Sequence, residues 1–277
     1  MLETIFSPQS LAVVGASPDP ERLGHVVLKN IIVNGYAGRI YPIHPSAATI
    51  LDLPTYANIT ALPEIPNLVI IVIPSQHVLA VVEECGQKGV KGLVVISAGF
   101  KEVGGEGKEL ERQLLAKVRE YGMRMVGPNC LGIIDTVSDL NASFAGLMPL
   151  SGEIALMSQS GAMCTAILDW SRAQGIGFSR FVSLGNKADV DEVALLHAWN
   201  RDPHSKVILA YLEGINDGPG FIAAAREVTQ NTPVIAIKRA PPPPARAPHP
   251  RTPVRWPVPR RPTRPPSARA ASCAPAR

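Results

Sequence analysis

The stretch MSQSGAM, residues 157–163, places two hydroxyl side chains and a glycine where an apolar run gives way to helical spacing. Ser158 and Ser160 offer hydroxyl donors, and Gly161 leaves the backbone N–H groups beside it uncovered. The first turn of a helix has N–H groups without intrahelical acceptors, and its dipole favours an anion by about 1 kcal/mol. The stretch therefore favours a phosphate site. The alternative, open at this point, is that a serine simply caps the helix.

A second turn of this kind, formed by Gly15, Ala16 and Ser17, ends the first apolar run of the chain. A glycine turn between a strand and a helix favours a phosphate near the helix N-terminus. The G-x-G-x-x-G spacing of a dinucleotide site is absent, and the second apolar run ends in YPIHP without an acidic residue for a ribose hydroxyl. The turn therefore favours a phosphorylated ligand other than NAD, and a tight turn without any ligand is the alternative.

Other polar residues follow apolar runs further along the chain. Glu213, in YLEG, could orient a histidine or a metal, or be an ordinary solvated loop residue. Cys130, in GPNCLG, is expected to be a small buried apolar residue rather than a nucleophile. Asp189, with Glu192 three residues later, resembles a capping box. The segment LGNKADVDE brings these polar residues to one predicted strand end: Asn186, Lys187, Asp189 and Asp191.

Between these turns the chain alternates short apolar runs with helical segments, from LAVVGAS to TPVIAIK. This alternation predicts parallel sheets with right-handed crossovers. The fold class is α/β, with two consecutive doubly wound parallel-sheet domains at residues 1–134 and 152–238, a linker at 135–151, and a tail at 239–277. Ligands of such sheets bind at the carboxyl ends of the strands.

Composition narrows the function classes. The net charge of +4 arises after Lys238, where nine arginines and no acidic residue follow, so residues 1–238 carry −5 and predict no nucleic-acid binding. No apolar run has the length of a membrane span, and no export signal is recognisable at the N-terminus. Four separated cysteines without a C-x-x-C pair predict a cytoplasmic protein without a metal site.

Seven stretches, taken in order, resemble one family: FSPQSLAVVGAS, NLVIIVIPSQHV, ISAGFKEVGGEG, GPNCLGI, LMSQSGAMCTAILDW, FVSLGNKADVDE and YLEGI. They are similar to the NDP-forming acyl-CoA synthetases and, more narrowly, to the α part of ADP-forming acetyl-CoA synthetase, a relative of succinyl-CoA synthetase. The resemblance runs from about residue 3 to Lys238. It implies a Rossmann-like CoA-binding domain followed by a flavodoxin-like ligase domain. It also implies conversion of acyl-CoA, ADP and phosphate to acid, ATP and CoA through an acyl phosphate and a phosphohistidine.

The resemblance assigns roles to individual residues. The implied CoA-binding residues are Gly15, Ala16, Ser17, Pro74, Ser75, Gln76, His77, Ser97, Ala98 and Gly99. The implied phosphate-binding residues are Asn129, Ser158, Ser160 and Gly161. Glu213 is the implied catalytic residue, because it would orient the histidine. One departure is visible: relatives usually show NPK after the second strand, whereas this chain has HPS at 44–46, without the lysine.

The same resemblance sets the expected partners. ADP/ATP and Mg²⁺ would be held by an ATP-grasp β chain or by a lost C-terminal domain. A homo-oligomer is left open, and neither nucleic acid nor a membrane is expected. Two alternatives remain for the function: a CoA-binding protein without catalysis, and an NAD(P)-dependent oxidoreductase.

The tail after Lys238 does not fit the family. Relatives place the phosphorylated histidine in a stretch like SSHTGSLAG after the last strand, but here only His249 follows it, within APHPRTP. Codons for His249 to Pro259, read from their third base, permit SSHTGSLAG at every position. We therefore expect a frameshifted, disordered tail and an enzyme that is inactive as it stands. A proline-rich interaction arm and a basic nucleic-acid-binding tail are the rival interpretations.

Overall fold

A computed structural model describes residues 2–200 and 202–239, and the expected frameshifted tail lies outside these residues apart from Arg239. Two sheets built by successive halves of the chain carry the fold. The first has the order β2-β1-β5-β6-β7, and all its strand pairs are parallel. Its strands are β1 (Ser10–Val14), β2 (Arg39–Ile43), β5 (Leu68–Ile71), β6 (Gly92–Val95) and β7 (Arg124–Val126).

Short helices connect the strands of this first sheet. They are α1 (Glu3–Phe6), α2 (Leu23–Val33), α3 (Val78–Lys88) and α4 (Gly105–Glu120), with 3-10 turns at Ser75–His77 and Lys101–Val103 and a small hairpin of β3 (Thr49–Ile50) and β4 (Leu53–Pro54). Every residue of β5 and β6 is buried, because helices cover both faces of the sheet. This is why the two runs are apolar throughout and do not alternate.

The second sheet has the order β13-β12-β10-β11-β8-β9. Its strands are β8 (Gly132–Asp135), β9 (Leu140–Ser143), β10 (Leu150–Ser158), β11 (Gly177–Ser183), β12 (Val207–Leu212) and β13 (Val234–Lys238). Its helices are α5 (Gly161–Ala173), α6 (Glu192–Trp199) and α7 (Gly218–Val228). The pairs among β10, β11, β12 and β13 are parallel, as predicted, whereas β8 and β9 form an antiparallel hairpin on β11.

That hairpin occupies part of the segment 135–151, which the sequence indicated as a polar linker. Two polar side chains of β9, Asn141 and Ser143, are buried, and the Ser143 hydroxyl donates to Asn141 Oδ1 at 2.6 Å. From the first half, Asn30 in α2 donates its side-chain amide to the carbonyls of Ser143 and Ala145 at 2.9 and 2.8 Å. Hydropathy did not reveal the hairpin, because β9 contains polar residues that are nevertheless buried and the backbone carbonyl of Ser143 binds a side chain from the other half of the chain.

Among the described residues, one of the three buried hydrophobic clusters spans both halves. Leu11 and Val27 from the first half belong to the same buried cluster as Met157 and Val182 from the second. Within the described part of the chain, no helix combines the length and the hydropathy needed to cross a bilayer.

Candidate functional site

A cleft of about 1150 Å³ opens where the carboxyl ends of both sheets meet. Residues that follow nine different strands line it. In the first half these strands are β1, β2, β5, β6 and β7, and in the second half they are β9, β10, β11 and β12. This is the edge at which doubly wound sheets bind ligands, because the connecting loops diverge there and leave a crevice.

The cleft gathers nine of the fifteen residues that the sequence singled out. These are Gly15, Ala16, Ser17, Pro74, Ser97, Ala98, Asn129, Gly161 and Glu213. The other six do not line it: Ser75, Gln76, His77, Gly99, Ser158 and Ser160. Ser75 to His77 form the 3-10 turn before α3, and Ser158 and Ser160 lie beneath the helix start that Gly161 opens.

The turn after β1 is shaped by close backbone packing. Gly15 has φ 91°, and a Cβ there would overlap the carbonyl oxygen of Val72. Gly24, near the start of α2, lies so close to the turn that a Cβ on it would overlap the carbonyl oxygen of Gly15. Sequence reasoning missed Gly24, whose signal was only a lone glycine in a helical pattern. The two glycines let the helix start approach the first strand end.

Hydrogen bonds fix the loops after β5 and β6 to one another. The Ser97 hydroxyl accepts from Ile73 N at 3.1 Å and lies 3.4 Å from the Ile71 carbonyl. At Gly99, with φ 105°, a Cβ would come within 2.6 Å of the Ser75 hydroxyl oxygen. Ser97 and Gly99 therefore shape these loops through their own contacts, whatever ligand they meet.

One amide from the second half joins the loops of both halves. Asn186, after β11, is 8% exposed and donates from Nδ2 to Glu102 Oε2 at 2.6 Å and to Glu111 Oε2 at 2.7 Å. Its Oδ1 accepts from Asn129 Nδ2 at 3.3 Å, and its backbone N–H donates to the carbonyl of Pro128 at 2.8 Å. Asn186, Glu102 and Asn129 all line the cleft, so this cluster sets how the halves meet there.

Burial works to raise the pKa of Glu102, but hydrogen bonds outweigh it. The donors are Asn186 Nδ2 and the backbone N–H groups of Gly99 and Phe100, and together they lower the pKa below its usual value. Glu102 therefore stays a carboxylate that organises the loop after β6.

The turn after β10 combines capping with an open helix start. The Ser158 hydroxyl accepts from Ser160 N and lies 3.1 Å from the Ser160 carbonyl, and the Ser160 hydroxyl accepts from Met163 N at 3.3 Å as the N-cap. Ser160 therefore has the capping role that was the alternative to phosphate binding, and Ser158 holds the backbone of that cap residue. The N–H groups of Gly161 and Ala162, in the first turn, have no intrahelical acceptor. A Cβ on Gly161 would meet nothing within 4 Å. The residues present thus fit an anion.

The loop after β12 presents a carboxylate at the same cleft. Glu213 is exposed, and within the described residues its carboxylate has no hydrogen-bond or ion-pair partner. Its backbone is fixed, because Gln159 Oε1 accepts from the N–H groups of Glu213 and Gly214 at 2.7 and 3.0 Å. On the other side, Lys187 Nζ donates to the carbonyl of Gly214.

Two capping and packing predictions can be settled directly. Cys130 is buried, and burial raises the pKa of its thiol to about 12, which confirms an inert residue rather than a nucleophile. The capping prediction for Asp189 was wrong: the N-cap of α6 is Asp191, which accepts from Ala194 N at 2.9 Å. Asp189 instead binds Arg124 Nε at 2.9 Å, because the loop after β11 runs back along β7.

At the HPS departure, the histidine takes part in the turn. His44 Nδ1 accepts from the N–H groups of Ala47 and Ser46 at 2.9 and 3.2 Å, and His44 lines the cleft. Ser46, at the position of the missing lysine, is exposed. His249, the one histidine that follows the last strand, lies outside the described residues.

Comparisons with known proteins agree with this architecture. A family model described as a CoA binding domain matches residues 9–136, and one described as a succinyl-CoA ligase like flavodoxin domain matches residues 151–249. Acetate–CoA ligase [ADP-forming] I of Archaeoglobus fulgidus is 45% identical over 237 residues, which are 86% of this chain and 34% of the relative. The α subunit of acetate–CoA ligase [ADP-forming] I of Pyrococcus furiosus is 43% identical, over 86% of this chain and 52% of the subunit.

A solved structure leads to the same family. The dinucleotide forming acetyl-coenzyme A synthetase 1 of Ca. Korarchaeum cryptofilum, in complex with phosphate and ADP, superposes with a TM-score of 0.83 at 43% identity, over 86% of this chain and 51% of that chain. This chain therefore spans between a third and about half of the relatives it matches. The resemblance and the fold class predicted from the sequence are confirmed. The chain belongs to the NDP-forming acyl-CoA synthetase family, with a CoA-binding domain followed by a succinyl-CoA-ligase-like flavodoxin domain.

Proposed function

We propose that this chain is the α portion of an ADP-forming acyl-CoA synthetase, which converts acyl-CoA, ADP and phosphate to acid, ATP and CoA. Acetyl-CoA is the first thioester to test. One observation carries the proposal: the cleft joins the CoA-domain loops to an open helix start at Gly161 and to the free carboxylate of Glu213. The open start can hold a phosphate, and the carboxylate can accept the Nδ1–H of a histidine and so fix its tautomer.

The reaction follows from these roles. Phosphate attacks the thioester carbonyl, the C–S bond breaks, and CoA leaves with an acyl phosphate remaining. The histidine of a SSHTGSLAG stretch, which this chain does not have after Lys238, would then attack phosphorus through its Nε2 lone pair: a P–N bond forms, and the acid leaves with the electrons of the P–O bond. The proton on Nδ1 stays on the imidazole beside Glu213. Amides at Gly161 bear the phosphate charge throughout.

The assignments made from the sequence become proposals for this site. CoA is assigned to the loops at residues 15–17, 74–77 and 97–99, phosphate to Asn129, Ser158, Ser160 and Gly161, and the orientation of the histidine to Glu213. Nine of these fifteen residues, Glu213 included, lie around one cleft, which supports the assignment. The turns at 75–77 and 158–160 would act by shaping the loops that touch the ligands.

Partners and compartment complete the proposal. An ATP-grasp chain or domain would bind ADP/ATP and Mg²⁺, since the chain spans only part of its relatives. A cytoplasmic location is supported by the free thiols of Cys85, Cys130 and Cys164.

A thermal-shift panel on the full chain tests the binding part of this proposal. CoA, acetyl-CoA and phosphate should each raise the melting temperature, because a ligand at about 100 times its Kd stabilises the fold by about 2.7 kcal/mol. NAD should leave it unchanged. A rise with NAD and none with CoA would instead support the oxidoreductase alternative.

Phosphoryl transfer separates a synthetase from a CoA-binding protein. With labelled ATP and an ATP-grasp partner chain, we expect no acid-labile label on this chain, and label on a version that carries SSHTGSLAG after Lys238. Absence of label from both would support the non-catalytic alternative. Sequencing the locus tests the frameshift itself, and a reading frame that genuinely encodes the tail would reject it.

A further inference from the structure

A single side chain connects the loop that carries Glu213 to the turn after β10 (residues 158–161), which we call the phosphate turn. Gln159 donates its backbone N–H to the carbonyl of Tyr211 at 3.0 Å, and its Oε1 accepts from Glu213 N at 2.7 Å and Gly214 N at 3.0 Å. The parallel pairing of β10 with β12 ends at Ser158 and Tyr211. Gln159 therefore continues the ladder with its side chain, where the β10 backbone turns away into α5.

A buried lysine holds the same loop from the side of β11. Lys187 is 5% exposed, and its Nζ donates to the carbonyl of Gly214 and to Glu192 Oε2 at 2.8 Å. A buried ammonium needs such a partner, and Glu192 neutralises it. Lys187 is thus a donor to the loop and not a free cation for a ligand. Both the N–H and the C=O of Gly214 are fixed.

As a consequence, the backbone at Glu213 is fixed by hydrogen bonds, while its carboxylate stays unbonded within the part of the chain that the structure describes. Gln159 lies between Ser158 and Ser160, so the residue that clamps the Glu213 loop belongs to the turn that opens α5. Movement of the phosphate turn must therefore carry the carboxylate with it. The three loops that follow β10, β11 and β12 are thus hydrogen-bonded to one another at the cleft.

We propose that Gln159 and Lys187 are positioning residues, which hold the Glu213 carboxylate at a set distance from the first-turn amides of α5. An imidazole bound to Glu213 through one nitrogen then presents its other nitrogen to a phosphate on those amides. This inference rests on the proposed function, and it adds two residues to which neither the sequence nor the family resemblance gave a role.

A double-mutant cycle on the full chain tests the inference, with inorganic phosphate as the probe and its Kd from calorimetry as the readout. Glu213→Gln removes a negative charge near the anion and should tighten phosphate about threefold. Gln159→Met removes the acceptor at similar volume. In that background Lys187 still binds the carbonyl of Gly214, but the N–H groups of Glu213 and Gly214 have lost their acceptor, and Glu213→Gln should change the Kd by less than a factor of about 1.5.

Gln159→Glu is the matched variant, because its carboxylate can accept the same two N–H groups. It should weaken phosphate binding, but the response to Glu213→Gln should again be about threefold. An equal response in the wild-type and Gln159→Met backgrounds would overturn the inference, and so would no response in the wild type. Phosphate that fails to bind the wild type at all would instead remove the proposed function, and this inference with it.

Discussion

The turn after β1 and the turn after β10 have similar sequences, but their glycines are present for different reasons. Gly15 has a left-handed φ and is pressed against the backbone at Val72, so the packing of the first sheet requires a glycine. Gly161 has empty space around its missing Cβ. No neighbour explains it, whereas the proposed phosphate would. A glycine turn is therefore evidence for a binding site only where the fold itself does not need the glycine.

Of the substitutions that test this difference between the two glycines, Gly15→Ala should have the largest effect on stability. The substitution combines a left-handed backbone with overlap on Val72, and we expect a loss of about 3 kcal/mol in the free energy of unfolding. Urea unfolding followed by circular dichroism measures it. A variant as stable as the wild type would mean that the first turn can relax and that its glycine, like Gly161, is free for a ligand.

Gly161→Ala, in contrast, should leave the stability of the fold intact and weaken the binding of phosphate. Alanine fits the open space and can gain about 0.5 kcal/mol of helix stability, but its methyl group should weaken phosphate about tenfold by crowding the anion. Calorimetry with inorganic phosphate is the measurement.

Gly218→Ala provides the matched control for that variant. Gly218 is also the first residue of a helix, α7, has the same open surroundings, and does not line the cleft. Its substitution should leave the phosphate Kd unchanged. Equal effects from both substitutions would show that the loss at Gly161 is not local.

The smallest expected effect is a pH dependence of stability that arises from buried cysteines beneath the two turns. Cys85 lies in α3 under the first sheet and Cys164 in α5 under the second, and burial raises the pKa of both thiols, that of Cys164 from 9.0 to about 11. The native thiols stay protonated while those of the unfolded chain ionise. Stability is therefore complete below about pH 9 and falls as pH rises toward 11.

Melting temperatures between pH 7 and pH 10.5 measure this dependence. Cys164→Ala should show a shallower decline than the wild type, and Cys85→Ala should do the same if both cores exclude water equally. Parallel curves for all three proteins would show that other groups control alkaline unfolding.

The sequence by itself determined the alternation of strands and helices, the fold class and the family. The apolar runs of β5 and β6 are visible in the sequence because a strand buried on both faces is apolar at every position. The glycine turns after β1 and β10 are visible because a strand end followed by a helix start is a local pattern. The polar hairpin strand β9 left no such mark, since its partner Asn30 is 113 positions away from Ser143 and meets it only through packing.

Only the tertiary structure decided which residues work together at the cleft. Gln159, Lys187 and Asn186 are ordinary polar residues along the chain, and their hydrogen bonds join segments 27 to 84 positions apart. Such partners are fixed by the register between neighbouring strands and by the meeting of the two sheets. A local pattern carries no record of either, because register and sheet contact are properties of the folded chain as a whole.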